Sequence, residues 1–167
     1  QKGSVYCEKI KGSKIILLLI AFSLLTACGN RNLYSMKTDV SDLKGVEKIV
    51  NNLNWEKEKI KKVSVEDKNI KIYAKGESKD FYEMDLKPQV VNGIYLLILT
   101  DANEINYFDK NGEYFSIDRA IVDEILTKVY SKSIADYKND EKEFKKLEKK
   151  LKDFKVESGD VKFKLEE

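Results

Sequence analysis

Behind the only proline of the 167-residue chain, Pro88, lies a segment apolar over most of its circumference: Val90, Val91, Ile94, Leu96, Leu97, Ile98 and Leu99. A first helical turn tolerates the missing N–H of proline, and Val90, Val91, Ile94, Leu97 and Ile98 recur at helical spacing. A helix that is apolar all round has to be buried, so this segment is expected to be the central core helix. A buried strand over 94 to 99 is the alternative. Either way, the rest of the domain has to pack around it.

The flanking sequence offers suitable partners. Leu43, Val46, Ile49, Val50 and Leu53 follow Ser41 or Asp42 as N-cap and predict an amphipathic helix over 42 to 54, with Gly45 as its weak point. Ile60, Val63 and Val65, then Ile70, Ile72 and Ala74, alternate around Glu66-Asp67-Lys68-Asn69 and read as a β-hairpin. Phe81 to Leu86 is a further candidate strand. Ile105 to Phe108 and Tyr114 to Ile117 flank Asn111-Gly112, a strong hairpin signal. Of the aromatics Tyr107, Phe108, Tyr114 and Phe115, half should face the core and half outward, with cross-strand packing favoured over ligand binding. Asp118 should cap a helix carrying Ile121, Val122, Ile125, Leu126 and Val129. The order of elements argues an α+β fold: a small single domain over 41 to 130, built from hairpins packed with amphipathic helices.

Past Ser133 the composition shifts. Tyr137, Phe144, Leu147, Leu151 and Phe154 form one stripe, broken by Asp140, while Lys138, Lys142, Lys145, Lys149 and Lys152 fall on the opposite face. One amphipathic basic helix within 131 to 155 is expected as a C-terminal extension. The tail from 156 to 167 alternates at Val161-Lys162-Phe163-Lys164-Leu165 and can add a strand.

The N-terminal region carries a different kind of signal. Lys9, Lys11 and Lys14 precede the apolar run Ile15 to Phe22, and small residues follow. A basic region, a short apolar region and a small-residue cut site are the parts of a secretory signal. The apolar stretch ends by Ala27, well short of the roughly 20 residues that span a bilayer. The methionines are Met36 and Met84 and the first residue is Gln1, which a truncated reading frame or a non-methionine start codon near Ile10 would explain, and residues 1 to 9 are left out of the fold.

Leu25-Thr26-Ala27-Cys28 then resembles the lipobox of bacterial lipoproteins. The resemblance implies cleavage between Ala27 and Cys28, removal of residues 1 to 27, and acylation of Cys28 with diacylglycerol and fatty acid such as palmitate. Residues 28 to 40 would be the lipidated tether. More than one acyl chain makes such anchoring stable. Cys7 leaves with the signal and Cys28 is consumed by lipid, so the mature protein is expected to hold no free thiol. A second resemblance covers roughly 39 to 128. Thr38 to Leu53, Ile94 to Ile105 and Tyr114 to Leu126 resemble a domain of unknown function found in Gram-positive lipoproteins, with Val40-Ser41-Asp42 replacing its Tyr-Val-Gly opening. It implies no activity and no functional residues.

Charge and residue inventory narrow the chemistry. Thirty-one basic and 29 acidic residues give +2 for the whole chain. Residues 1 to 27 account for +3 and residues 132 to 155 for a further +3, which leaves the remainder mildly acidic. That balance argues against a nucleic-acid partner. Absence of histidine removes histidine triads and imidazole zinc sites, and two cysteines cannot build a four-thiolate site. Asp101-Ala102-Asn103-Glu104 fails the calcium-loop pattern, because Ile105 and Asn106 stand where an oxygen ligand and glycine are needed. Ser131-Lys132-Ser133 holds the residue types of a Ser–Lys nucleophile at a helix junction. No metal, cofactor or catalytic residue is called for, and the chain is not expected to be an enzyme.

These readings converge on a lipid-anchored protein at the outer face of the cytoplasmic membrane, serving as a binding or accessory module at the cell surface. Its expected partners are the membrane, through the anchor, and a membrane-protein or cell-envelope partner. The lysine face of Lys138, Lys142, Lys145, Lys149 and Lys152 is a candidate contact with anionic surfaces, against the simpler reading of a solvated face. The alternatives are a regulatory or sensor partner of a membrane protein and a carboxylate-dependent cell-wall enzyme. Richness in Lys, Asn and Ile suggests a Gram-positive source.

Overall fold

In the computed structural model, the residues described are 32–56, 59–76, 85–157 and 162–164. The core helix forms as expected. Residues Lys87–Leu99 make α2, with Pro88 in its first turn and Val90, Ile94, Leu96, Leu97, Ile98 and Leu99 buried. The strand alternative over 94 to 99 is thereby set aside. Gly93 lets α2 approach the sheet: a Cβ there would stand 2.6 Å from Ile117 Cγ2 and 3.1 Å from the Tyr107 hydroxyl. A side chain at this position would push the helix off the strands.

Before it, α1 (Leu43–Asn52) buries Val46, Ile49 and Val50. Its cap corrects one expectation, that Gly45 weakens the helix. The Asp42 carboxylate accepts the Gly45 N–H at 3.1 Å and the Thr38 hydroxyl at 3.1 Å. A Cβ on Gly45 would collide with that carboxylate at 2.5 Å, so glycine is what lets the cap close. Leu43, read as part of the apolar stripe, is exposed. At the other end the Trp55 indole donates to the Val50 carbonyl at 2.8 Å.

Four strands make one mixed sheet in sequential order: β1 (Ile60–Glu66), β2 (Asn69–Ala74), β3 (Glu104–Asp109) and β4 (Gly112–Asp118). β1 and β2 form the expected hairpin around Asp67 and Lys68, both left-handed with φ of 51° and 62°. That is the turn whose twist matches the strands, here built without glycine. β2 pairs parallel to β3, Ile70 with Ile105 and Ile72 with Tyr107. A parallel pair needs a crossover, and α2 is that connection.

The second hairpin forms with a different turn from the one Asn-Gly usually makes. Asp109 accepts the Asn111 N–H at 2.7 Å, Lys110 and Asn111 bridge the strands, and Gly112 takes the positive φ, 124°, after them. Tyr107 then faces Phe115 while Phe108 faces Glu113, which leaves Tyr114 as a bulge. The bulge breaks the strict in–out alternation expected of the aromatics. Tyr107 is buried and its ring lies near both Phe115 (5.7 Å) and Tyr114 (6.5 Å). Phe108, on the other face, stacks on Tyr73 of the neighbouring strand at 4.8 Å, so it is engaged in cross-strand packing.

Val63, Ile70, Ile72, Ile105, Tyr107 and Ile117 are buried on one face of the sheet and share a single core with the helices. The candidate strand over 81 to 86 lies largely outside the described residues. The architecture is α+β.

Asp118 caps α3 (Arg119–Tyr130), accepting the Ala120 and Ile121 N–H groups. Only Val122 and Leu126 of its apolar set are buried, whereas Ile121 and Val129 are exposed. The single helix expected within 131 to 155 is two: α4 (Ile134–Asn139) and α5 (Glu141–Lys152). Asp140 is extended, and its carboxylate accepts the N–H groups of Lys142 (2.9 Å) and Glu143 (3.1 Å), so it starts a new helix where the stripe breaks. The apolar stripe itself is as read. Tyr137, Phe144, Leu147, Leu151 and Phe154 are all buried in the common core, so the amphipathic C-terminal segment closes the domain. After it, β5 (Lys155–Glu157) pairs antiparallel with β6 (Lys162–Lys164), the strand expected in the tail.

The folded unit also begins earlier than residue 41. Leu33–Met36 form a 3-10 turn, and Leu33, Tyr34 and Met36 pack on the core. Tyr34 lies 5.5 Å from the Phe144 ring and donates its hydroxyl to the Lys138 carbonyl at 3.0 Å. The Thr38 N–H reaches the Leu99 carbonyl at 3.0 Å. A segment expected to be tether is seated on the core by three half-buried side chains, Leu33, Tyr34 and Met36.

Candidate functional site

The lipobox residues Leu25, Thr26, Ala27 and Cys28 lie outside the described residues, and the first described residue, Asn32, follows Cys28 closely in sequence. Among the described residues no helix is long and apolar enough to cross a membrane.

The five lysines read as one face do not stay together. Lys142, Lys145, Lys149 and Lys152 are exposed on α5, joined there by Lys146 and Lys150. Lys138 is half-buried and turned inward, donating to the Thr100 carbonyl at 3.0 Å. The break at Asp140 explains the difference: it starts a separate helix, so Lys138 and Lys142 are not on one continuous helical ladder. Lys145 pairs with Glu141 at 2.7 Å and Lys146 with Glu143 at 2.6 Å. Such exposed pairs contribute little to stability.

Lys138 instead belongs to a charged cluster at the C-terminal end of α2, whose main member, Arg119, was not foreseen. Its guanidinium donates to the carbonyls of Ala102 (2.6 Å), Leu97 (2.5 Å) and Thr100 (3.2 Å). The last carbonyls of a helix have no partner within it, and the helix dipole favours positive charge there. Two cations thus converge on one carbonyl, that of Thr100. Burial lowers the pKa of both, and for Lys138 the neighbouring Arg119 charge lowers it further. Asp101 completes the cluster, accepting the Val40 N–H at 2.7 Å and the Lys68 ammonium at 3.2 Å, and the Val40 bond holds its carboxyl below the ordinary range. The one hint in the sequence is that Arg119 opens a helix, where a cation opposes the dipole of its own helix and so needs a partner elsewhere.

Beside this cluster runs a shallow cleft of about 570 Å³, lined in part by Asp118, Arg119, Asp123 and Lys138. Its carboxylates are committed to the backbone. Asp118 caps α3, and Asp123 accepts the Ile134 N–H at 2.6 Å. The Ser131-Lys132-Ser133 group is committed likewise. Ser131 closes α3 in the left-handed region, Ser133 exchanges hydrogen bonds with Asp136 in a capping box, and Lys132 pairs with Glu143 at 3.6 Å. No group of three or more histidine, cysteine, aspartate or glutamate side chains arranged to hold a metal occurs among the described residues. A second groove, of about 440 Å³, lies between Leu33, Leu53, Pro88, Val91, Tyr95 and Leu151, with Lys87 donating to the Lys152 carbonyl at its rim.

Comparison with known proteins finds no matching family model, no matching curated protein and no matching solved structure.

The titration behaviour follows from burial. Burial raises the Tyr95 phenol above its ordinary value of 10, and pushes Tyr137 up to about 12. A phenol held neutral in the folded chain supports stability below its unfolded pKa, about 10, and that support is lost as pH rises above it. Asp101 and Asp136, with pKa values lowered by backbone hydrogen bonds, support stability above the ordinary carboxylate range and lose it as pH falls through their folded values. Lys138 runs the opposite way in the alkaline range, but the two phenol shifts are larger. With no histidine in the sequence, thermal midpoints should be flat between about pH 6 and 9 and fall at both extremes. A step near neutrality would contradict this assignment.

Proposed function

We propose that this chain is the precursor of a bacterial lipoprotein, cleaved before Cys28 and held by acyl chains at the outer face of the cytoplasmic membrane. There its α+β domain acts as a binding or accessory module. The reading is carried by one observation: Leu25-Thr26-Ala27-Cys28 stands directly behind a basic region and a short apolar run. It is supported by where the domain begins. The chain is packed on its own core from Leu33 onward, so a lipid on Cys28 would hold a folded unit by a short leash. Intact-mass measurement of the protein recovered from a bacterial membrane tests it. The expected species begins at Cys28 and carries acyl chains on it, read from its N-terminal peptide as well as its mass, and a chain starting elsewhere overturns the proposal.

A second reading, a regulatory partner of a membrane protein, is favoured by the outer stripe of α3. Ile121 and Val129 are 54% and 39% exposed, with the half-buried Ile125 between them at helical spacing. Crosslinking from position 121 in intact cells, read by mass spectrometry, would identify that partner. In that reading Val129→Asp removes the partner crosslinked from position 121 while the fold persists.

A further inference from the structure

We infer that the exposed lysine face of α5 lies against a bilayer rich in anionic headgroups, at a distance set by the anchor on Cys28; this rests on the lipoprotein reading above. α5 turns Phe144, Leu147 and Leu151 into the core, which leaves Lys142, Lys145, Lys146, Lys149, Lys150 and Lys152 outside. Its carboxylates are less available than its ammonium groups. Glu143 is 17% exposed at the side chain and shared between Lys146 and Lys132, Glu141 holds Lys145, and Glu148 is half-buried. Lys142 and Lys149, two turns apart, have no carboxylate partner among the described residues.

The leash keeps α5 near the membrane, and the lysine side is the one this helix leaves open to it. Tyr34, in the turn where the folded unit begins, lies with its ring tilted against Phe144 of α5, and Leu33 lines the same groove as Leu151 and Lys152. Four residues separate Cys28 from Leu33, and the five extended steps between them reach at most about 18 Å. α5 itself is about 18 Å long, so the helix beside the leash cannot move far from the surface that holds the lipid. Contacts strong enough to be measured on the free protein are strengthened further when a tether keeps the local concentration high. The leash ends in the bilayer itself, so the headgroups around the anchor are the nearest anionic surface, whereas a diffusing polyanion gains nothing from the leash.

The test uses the chain from Gly29, which contains every residue of the core from Val40 to Phe154 and therefore folds without what precedes it. Sedimentation with vesicles of phosphatidylglycerol and phosphatidylcholine in equal parts should show binding that weakens with added salt, and little binding to phosphatidylcholine alone. Each lysine near an anionic surface is worth about a fivefold change in partition. The variant Lys142→Gln with Lys149→Gln should therefore partition about 25-fold less, with an unchanged unfolding midpoint as control. Equal binding to neutral and anionic vesicles, undiminished binding by the double variant, or binding to soluble polyphosphate but not to vesicles overturns the inference. The intact mass separates the two claims: an acylated chain whose domain ignores anionic vesicles overturns the docking alone, and an unacylated chain overturns the anchor and the docking with it.

Discussion

Phe144→Ala should lower the free energy of unfolding by about 3–5 kcal/mol, the range for removing a buried phenylalanine from a close-packed interior. Phe144 is fully buried, and its ring lies 5.5 Å from Tyr34 and 5.8 Å from Tyr95, where it joins the N-terminal turn, α2 and α5. A domain of this size has only about 5–15 kcal/mol in total, so the variant should be close to the limit of folding. The single tryptophan makes the test specific. Trp55 sits beyond α1 with its ring 6.1 Å from Tyr107, away from the mutated ring. Urea unfolding followed by Trp55 fluorescence and by circular dichroism should shift together. If the fluorescence midpoint stays in place while helical signal is lost early, α4 and α5 are a separately melting appendage and the common core described above is wrong.

Arg119→Met should cost about 2–4 kcal/mol. Methionine keeps much of the stem but abandons three carbonyls, and hydrogen bonds from a charged donor are worth about 1.5–3 kcal/mol each when counted singly. The sum is reduced because the Lys138 ammonium still reaches the Thr100 carbonyl. Arg119→Lys discriminates between charge and geometry, since one ammonium cannot span the carbonyls of Leu97, Thr100 and Ala102 at once. It should recover less than half of the loss. Native-state hydrogen exchange should speed up in the last turn of α2 in both variants. Stability of Arg119→Met within about 0.5 kcal/mol of the parent would rule out the capping role.

The elements of this fold were legible where one periodicity ran without competition. Asp42 and Asp118 announced helices, Asp67-Lys68 and Asn111-Gly112 announced hairpins, and the all-round apolar run after Pro88 announced the central helix. What the sequence could not disclose were decisions made between distant elements. Nothing local says that β2 lies parallel to β3, because both hairpins are satisfied in isolation. The turn at Leu33–Met36 has no periodicity, and the partners that seat it lie far along the chain, among them Phe144 and Lys138, a hundred residues on. At Asp140 the stripe continued across a break, so apolar spacing suggested one helix while the capping chemistry of an aspartate made two. Lys138 was drawn from the same pattern and moved to the interior for the same reason. Arg119 was hidden because its partners are main-chain carbonyls, which leave no mark in the sequence. The stripe of Ile121, Ile125 and Val129 read as core only because α3 carries more apolar residues than one face can bury.

The seat of the N-terminal turn also orders events in time. Tyr34 and Lys37 both donate to the carbonyl of Lys138, and Thr38 bonds to the end of α2. The first residues of the domain are held by some of its last. Each hairpin is local and can close within microseconds, but the join between β2 and β3 waits for α2, and the N-terminal turn waits for α4 and α5. In a chain that emerges N-terminus first, the opening segment stays loose until the final helices arrive. Loss of residues after about 133 would therefore unseat the beginning of the domain along with its end.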